Sequence, residues 1–190
     1  VSFLSDHYQR TYTKYRKKTN LTARILVAYA SWKEPTAGIT QAIGRELEDG
    51  YTVNVSEMKS VTSIAGYKAV VIGGPVYTGK ITGDVTVFVS TNKDELSGVL
   101  VAGYGHCTGI FKKTGDVKGF TDQLVTASSP VLPVAVTMFA GSIDAIKMNF
   151  DERNLTSLVK FPTGDFRDLD TIAAWERALA GKMGLQWRYG

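Results

Sequence analysis

The sequence holds a single cysteine, Cys107, and two histidines, His7 and His106. One cysteine excludes an internal disulfide, and so few nitrogen and sulfur donors argue against a structural zinc site. The chain therefore reads as a protein of a reducing compartment, with a cytoplasmic location expected. No stretch approaches the roughly 20 consecutive apolar residues that a membrane-spanning helix needs. No glycine stands between Ala28 and Thr36, so the G-x-G-x-x-G fingerprint of a dinucleotide site is missing after the first apolar run. That run ends in Ala30 and Ser31 where a phosphoacceptor receiver domain needs an aspartate. "GPVYTGKI" comes close to a Walker phosphate loop, but Ile81 replaces the hydroxyl that would bind magnesium. His106 and Cys107 are neighbours in the chain, a poor geometry for a base and its nucleophile, and no third group is in view to orient the base.

What remains is 190 residues with 44% hydrophobic content, enough for one domain with a sizeable core and too little for two. The net charge of +4 is unevenly spread. Arg10, Lys14, Arg16, Lys17, Lys18 and Arg24 face Asp6 alone in the first 24 residues, which leaves the rest of the chain close to neutral. A nucleic-acid reader carries its basic footprint on the domain that does the reading, so this partner class is not expected. The basic arm, residues 1–23, sets Tyr8, Tyr12 and Tyr15 at helical spacing among its cations. Such a segment suits association with an anionic membrane surface, and equally a solvated helix packed on the domain. Because the chain starts at Val1 rather than Met, a preceding segment is also expected as an option.

From residue 24 to 190 the pattern is that of one α/β domain. "RILVAYA" (24–30), "YTVNVSEM" (51–58), "AVVIGGP" (69–75), "VLVAGYG" (99–105) and "PVAVTMFAG" (133–141) are short, β-branched and bounded by Gly or Pro, as buried parallel strands are. Ile39, Ile43 and Leu47 mark a helix after the first strand, with Gly50 at its end; Ile172, Trp175, Leu179 and Met183 mark another near the C-terminus. "GDVTVFVSTNKDEL" has the residue preferences of a strand. A parallel neighbour on each side requires a crossover there, so helix is expected. "VKGFTDQLVTA" (117–127) supplies the next crossover with Phe120 and Leu124 inward. Strands and helices are thus expected to alternate throughout, five of each, in a doubly wound sheet. An insertion at about 142–164 exceeds the usual connection length of about 2 to 6 residues, and Ile146, Phe150, Leu155 and Leu158 suggest secondary structure of its own.

Ligands of such sheets collect beyond the carboxyl ends of the strands, where the winding reverses. Three loops fall there: "SWKEPT", "GPVYTGK" and "YGHCTG". Ser31 and Thr36 offer hydroxyls beside the first turn of a helix, whose amides and dipole favour an anion. Tyr77 and Tyr104 are candidates to flank a flat ring, although each also reads as core packing. Gly74, Gly79 and Gly105 let backbone approach a polar ring edge. A phosphate and a flat ring together point to FMN.

"ILVAYASWKEPTAGITQAIGREL", "YKAVVIGGPVYTGK" and "GDFRDLDTIAAWERAL" resemble the flavodoxin-like domain family that includes the menaquinone-dependent protoporphyrinogen dehydrogenases, from about Arg24 to Met183. Gly164, Asp165, Asp170 and Trp175 follow that family's pattern before the last helix. The resemblance implies a five-stranded parallel sheet in the order 2-1-3-4-5 with helices on both faces. It also implies non-covalent FMN, and electron transfer to a redox partner protein or to a quinone or porphyrinogen-type small molecule. The expected cofactor set is Ser31, Trp32, Lys33, Glu34 and Thr36 at the phosphate, Pro75, Val76, Tyr77, Thr78 and Gly79 along the flavin, and Tyr104, Gly105 and His106 in the third loop. The family's loop carries a glycine and a small or polar residue where Glu34 and Pro35 stand. A carboxylate and a missing amide cost about 1 to 3 kcal/mol of phosphate affinity, which Trp32 and Lys33 are placed to offset in part. A domain that has lost FMN and serves as a binding module is the alternative.

Overall fold

In the computed structural model, residues 23–30, 35–48, 51–77, 79–107, 116–143, 150–158 and 163–182 are described. The basic arm before Ala23, Gly50, Ile146 and Met183 lie outside them. Along the chain, β1 (Arg24–Tyr29) leads to α1 (Pro35–Leu47) and β2 (Thr52–Glu57). A 3-10 turn (Met58–Ser60) precedes β3 (Ala69–Tyr77), which folds back through β4 (Lys80–Ile81) into α2 (Gly83–Thr91) and the single turn α3 (Lys93–Leu96). Then come β5 (Leu100–Cys107), α4 (Val117–Ala127) and β6 (Ala135–Ala140). The described chain closes with β7 (Ser142–Ile143), α5 (Phe150–Leu158), β8 (Gly164–Asp165) and α6 (Leu169–Lys182).

Five strands pair in parallel in the order β2-β1-β3-β5-β6, and β4 adds an antiparallel rung to β3. Counting the parallel strands alone, this is the expected 2-1-3-4-5 order. Buried on both faces, the central strands carry near-continuous apolar runs instead of alternation. Ile25 and Val27 of β1 point to one face, where Ile39, Ile43 and Leu47 of α1 and Ile172 and Leu179 of α6 cover them. Leu26, Ala28 and Ala30 point to the other, under Val85, Phe88 and Val89 of α2 and Leu124 of α4. Ile39, Ile43, Leu47, Ile172, Leu179 and Leu124 are thus buried as their spacing implies, whereas Trp175 and Phe120 are only partly so.

The valine-rich segment over residues 83–96 is helical. Val85 and Val89 go inward while Val87 is 64% exposed, so the crossover overrides the β preference of valine. Asn92 ends α2, its backbone and side-chain amides both donating to the Phe88 carbonyl. Asp116 caps α4 through its carboxylate, which accepts from the Gly119 amide at 2.8 Å.

Strict alternation fails between β2 and β3. No α-helix lies there; the 3-10 turn and an extended stretch make the crossing. The intervening residues are few and rich in Ser, Thr and Gly, and Ile64 fills the core from the loop at 1% exposure. The Glu95 carboxylate accepts the Ile64 amide at 3.0 Å, which fixes the loop against α3. The late insertion does hold secondary structure, since β7 pairs with β8 in antiparallel fashion and α5 lies between them in sequence. Phe150 and Leu158 of α5 are exposed instead of packed.

A compact interlock joins α1 to the sheet. The Tyr104 ring lies against Gly73 so closely that any side chain there would run into it, and the Tyr104 hydroxyl shares a 2.6 Å hydrogen bond with Thr40 Oγ1. Phe139 tilts against Tyr104, and Trp175 meets Phe139 edge-on at 5.7 Å. Substituting Gly73→Ala is expected to cost about 1 to 3 kcal/mol or more by overpacking, read as a drop in denaturant midpoint at unchanged slope.

His106, on the same side of β5, is 5% exposed, and burial pulls its pKa down to about 4. The unfolded chain takes up a proton near pH 6.5 and the folded one resists until about pH 4, so stability falls as pH drops through that window and levels off below it. The expected loss is about 3 kcal/mol relative to a His106→Gln variant, measured by urea unfolding at a series of pH values. Parallel pH profiles for the two proteins would remove His106 from this role.

Candidate functional site

The winding reverses between β1 and β3, since β2 lies on one side of β1 and β3, β5 and β6 on the other. At that point the Ala30 amide donates to the Gly73 carbonyl at 2.8 Å, so the residue that follows β1 is fixed to β3 just before the chain leaves for α1. Ser31, Trp32, Lys33 and Glu34 make that passage and lie outside the described residues. Pro35 stands at the first helical position, where its fixed φ suits the helix and its missing N–H would have no intrahelical partner in any case. The proline therefore helps to start α1, and the Thr36 and Ala37 amides are the first that its opening turn can offer.

Beside this turn, the second loop is a hairpin. Pro75 is buried, Val76 half-buried and Tyr77 46% exposed. Val76 pairs with Ile81 and Tyr77 with Lys80, and the turn between them carries Thr78, outside the described residues, and Gly79 at φ +81°. Only glycine adopts that conformation without strain, and nothing lies within 4 Å of where a Gly79 side chain would start. Gln123 of α4 grips the turn from below, its Nε2 donating to the Gly79 carbonyl at 3.1 Å and its Oε1 accepting the Ile81 amide at 3.2 Å. The hairpin tip is thus held rigid with open backbone and an aromatic ring at its rim.

The third loop contributes less than its residue types imply. Tyr104 is fully buried beneath α1, with burial raising its pKa, so the ring packs the core and is not free to stack on a ligand. Gly105 makes room for Met138, whose sulfur would collide with any side chain there. His106 is buried and neutral at pH 7, and so brings no cation to a phosphate. Residues 108–115, which complete the loop, lie outside the described residues. Cys107 ends β5, half-buried, and among the described residues no cluster of His, Cys, Asp and Glu forms a metal site.

Besides Gln123, a second residue goes unmarked in the sequence. Arg167 follows β8 and lays its guanidinium against the backbone of Gly38 in α1, where a side chain on Gly38 would meet Nη1. Asp165 orients it, accepting from Nε at 2.7 Å, from Nη2 and from the Arg167 amide. The pairing lowers the Asp165 pKa and raises that of Arg167. Backbone bonds from Gly141 to the Cys107 carbonyl and from Phe166 to the Gly141 carbonyl tie this segment to the carboxyl end of β5. Asp168 then caps α6, accepting the Thr171 amide at 3.0 Å. The only hint in the sequence is the acid two residues before the arginine.

The model of the flavodoxin domain matches residues 26–170. No curated protein matches the chain. Among solved structures, the Fusobacterium nucleatum flavodoxin bound to flavin mononucleotide is 14% identical, with a TM-score of 0.54 over 84% of this chain and 98% of that one. A flavodoxin from the domain Archaea is 15% identical, with a TM-score of 0.50 over 85% and 99%. This chain spans 41% of the length of rubredoxin oxygen:oxidoreductase from Desulfovibrio gigas, at 16% identity and a TM-score of 0.45. With most of the domain matched and its strand order in place, the chain belongs to the flavodoxin domain family.

Proposed function

We propose that this protein binds FMN non-covalently at the carboxyl edge of its sheet and transfers electrons. The feature that supports the reading is the reversal of winding between β1 and β3, after which β1 leads on to the opening turn of α1 and β3 into a hairpin with open backbone and an exposed Tyr77. An anion suits the first, and a flat ring with a polar edge suits the second. The residues present fit the cofactor. The opening turn offers backbone amides, and the bare Gly79 leaves room for close approach.

In this reading Ser31, Thr36 and the first-turn amides of α1 hold the phosphate, with Trp32, Lys33 and Glu34 around it. Pro75, Val76, Tyr77, Thr78 and Gly79 lie along the flavin, and Gln123 keeps the hairpin from relaxing away. Tyr104 supports the site from the core by keeping α1 on the sheet, and Gly105 and His106 form its floor. Bound FMN supplies one- and two-electron chemistry, and the chain's part is to bind it, orient it and limit its contact with water. Its electrons go to a redox partner protein or, as the resemblance implies, to a quinone or porphyrinogen-type molecule. Among the described residues no helix is long and apolar enough to cross a membrane. In this reading the basic arm over residues 1–23 provides a surface contact with an anionic membrane.

The test is retention of colour. Protein mixed with excess FMN and passed through a desalting column is expected to keep the visible flavin spectrum at close to one equivalent. A colourless eluate favours the binding module that has lost its cofactor. Thr36→Ala is expected to weaken FMN roughly five- to tenfold, about 1 kcal/mol, in a fluorescence titration; unchanged affinity removes Thr36 from the phosphate. Turnover of a porphyrinogen with a menaquinone analogue checks the enzymatic form of the proposal, and its absence rejects that form.

A further inference from the structure

The hairpin after β3 grows from one strand and is held by another element. Its own pairing amounts to two positions, Val76 with Ile81 and Tyr77 with Lys80, and so short a ribbon does not keep its shape in water. Gln123 supplies the missing partner. Its Oε1 accepts the Ile81 amide at 3.2 Å while its Nε2 donates to the Gly79 carbonyl at 3.1 Å, so one side-chain amide does for β4 what the backbone of a neighbouring strand would. The amide has no choice of orientation here, because an N–H needs an acceptor and a carbonyl needs a donor. The base of this clamp is firm. Leu124, the next residue, is fully buried, with Cδ2 only 3.2 Å from where a side chain on Gly103 of β5 would start, and Asp116 caps the same helix. Gln123 therefore ties a turn that leaves from β3 to a helix seated on β5.

Gly79 is where this restraint matters most. It sits at φ +81° with open space where a side chain would be, and a glycine in a short turn is the freest point of a chain. Resting on the flavin reading above, we infer that Gln123 is a positioning residue of that site: it orders the Gly79 turn before the ring arrives, so that binding does not bear the entropy of ordering it. The clamp acts on the segment along the ring and not on the phosphate. It therefore strengthens phosphorylated and free flavin alike. Of its two bonds, the one to Gly79 is exposed and the one to Ile81 is half-buried, so in a variant without the amide water takes over both backbone groups and the fold survives. What is lost is the order of the hairpin.

The experiment titrates FMN and riboflavin, between about pH 5 and pH 8, into the wild-type protein, Gln123→Leu and Gln123→Glu. Comparison with wild type at each pH cancels the ionisation of the phosphate itself. Gln123→Leu is expected to weaken both flavins about five- to twentyfold, by the same factor at every pH. Gln123→Glu separates positioning from bulk. Ionised, it accepts from Ile81 but opposes the Gly79 carbonyl; protonated, its carboxylic acid offers the same donor and acceptor as the amide. Its affinity relative to wild type is expected to match Gln123→Leu at the alkaline end and to recover as pH falls. In the unliganded protein, the Ile81 amide is expected to exchange with deuterium about tenfold faster in Gln123→Leu than in wild type. Unchanged affinity in Gln123→Leu, a loss confined to FMN, or a ratio for Gln123→Glu that does not vary with pH overturns the inference; circular dichroism confirms that each variant is folded. Should the wild-type protein bind neither flavin, the flavin reading fails, and exchange in the unliganded protein then decides on the clamp alone. Ile81 protection that is lost in Gln123→Leu supports it, and equal exchange in both proteins rejects it.

Discussion

The bond from the Ala30 amide to the Gly73 carbonyl fixes where everything else can be. It pins the end of β1 to β3 at the one place where successive strands go to opposite sides, so the connections on either side diverge and leave a crevice. Gly73 must be glycine because the Tyr104 ring occupies the space of its side chain, and Tyr104 in turn holds Thr40 of α1. The residue after β1, the second turn of α1 and the middle of β5 are thus a single packed unit. A helix docked in this way cannot slide along the sheet, and its opening turn stays at the crevice.

The fold was legible because burial on both faces leaves a strong mark. Runs such as "AVVIGGP" and "RILVAYA" are too short for helices and too apolar for loops. Topology also rescued the valine-rich α2, since a parallel neighbour demands a crossover whatever the local preference. The same logic overreached between β2 and β3, where a crossover is satisfied by extended chain and one buried residue, Ile64. Crossing a sheet requires length and a covered face, and a helix is only the commonest way to supply them.

The site was legible where its parts are local. The loops after β1 and β3 stand out within a few residues by their hydroxyls and glycines, whereas the hairpin that the second of them forms does not. Tyr104 shows the limit, because an aromatic beside two glycines reads the same in a ligand loop and in a core, and only the side of β5 that it occupies decides. Gln123 and Arg167 show the opposite limit. Their roles come from contacts with Gly79 and Gly38, far away in the chain, and neither residue type marks itself out in a helix or a turn.

Those two long-range contacts also join pieces that lie far apart in the chain. The hairpin has only two paired positions of its own, too few to be rigid in water, and α4 supplies what is missing through the two hydrogen bonds of Gln123. Arg167 is likewise placed by the sheet, through the backbone steps from Cys107 to Gly141 to Phe166, and aimed by Asp165. Both devices refer back to the carboxyl ends of β3 and β5, which pair directly up to Pro75 and His106. The edge of the sheet thus serves as a common frame, so a change in the chemistry of the first loop need not disturb the charge above it.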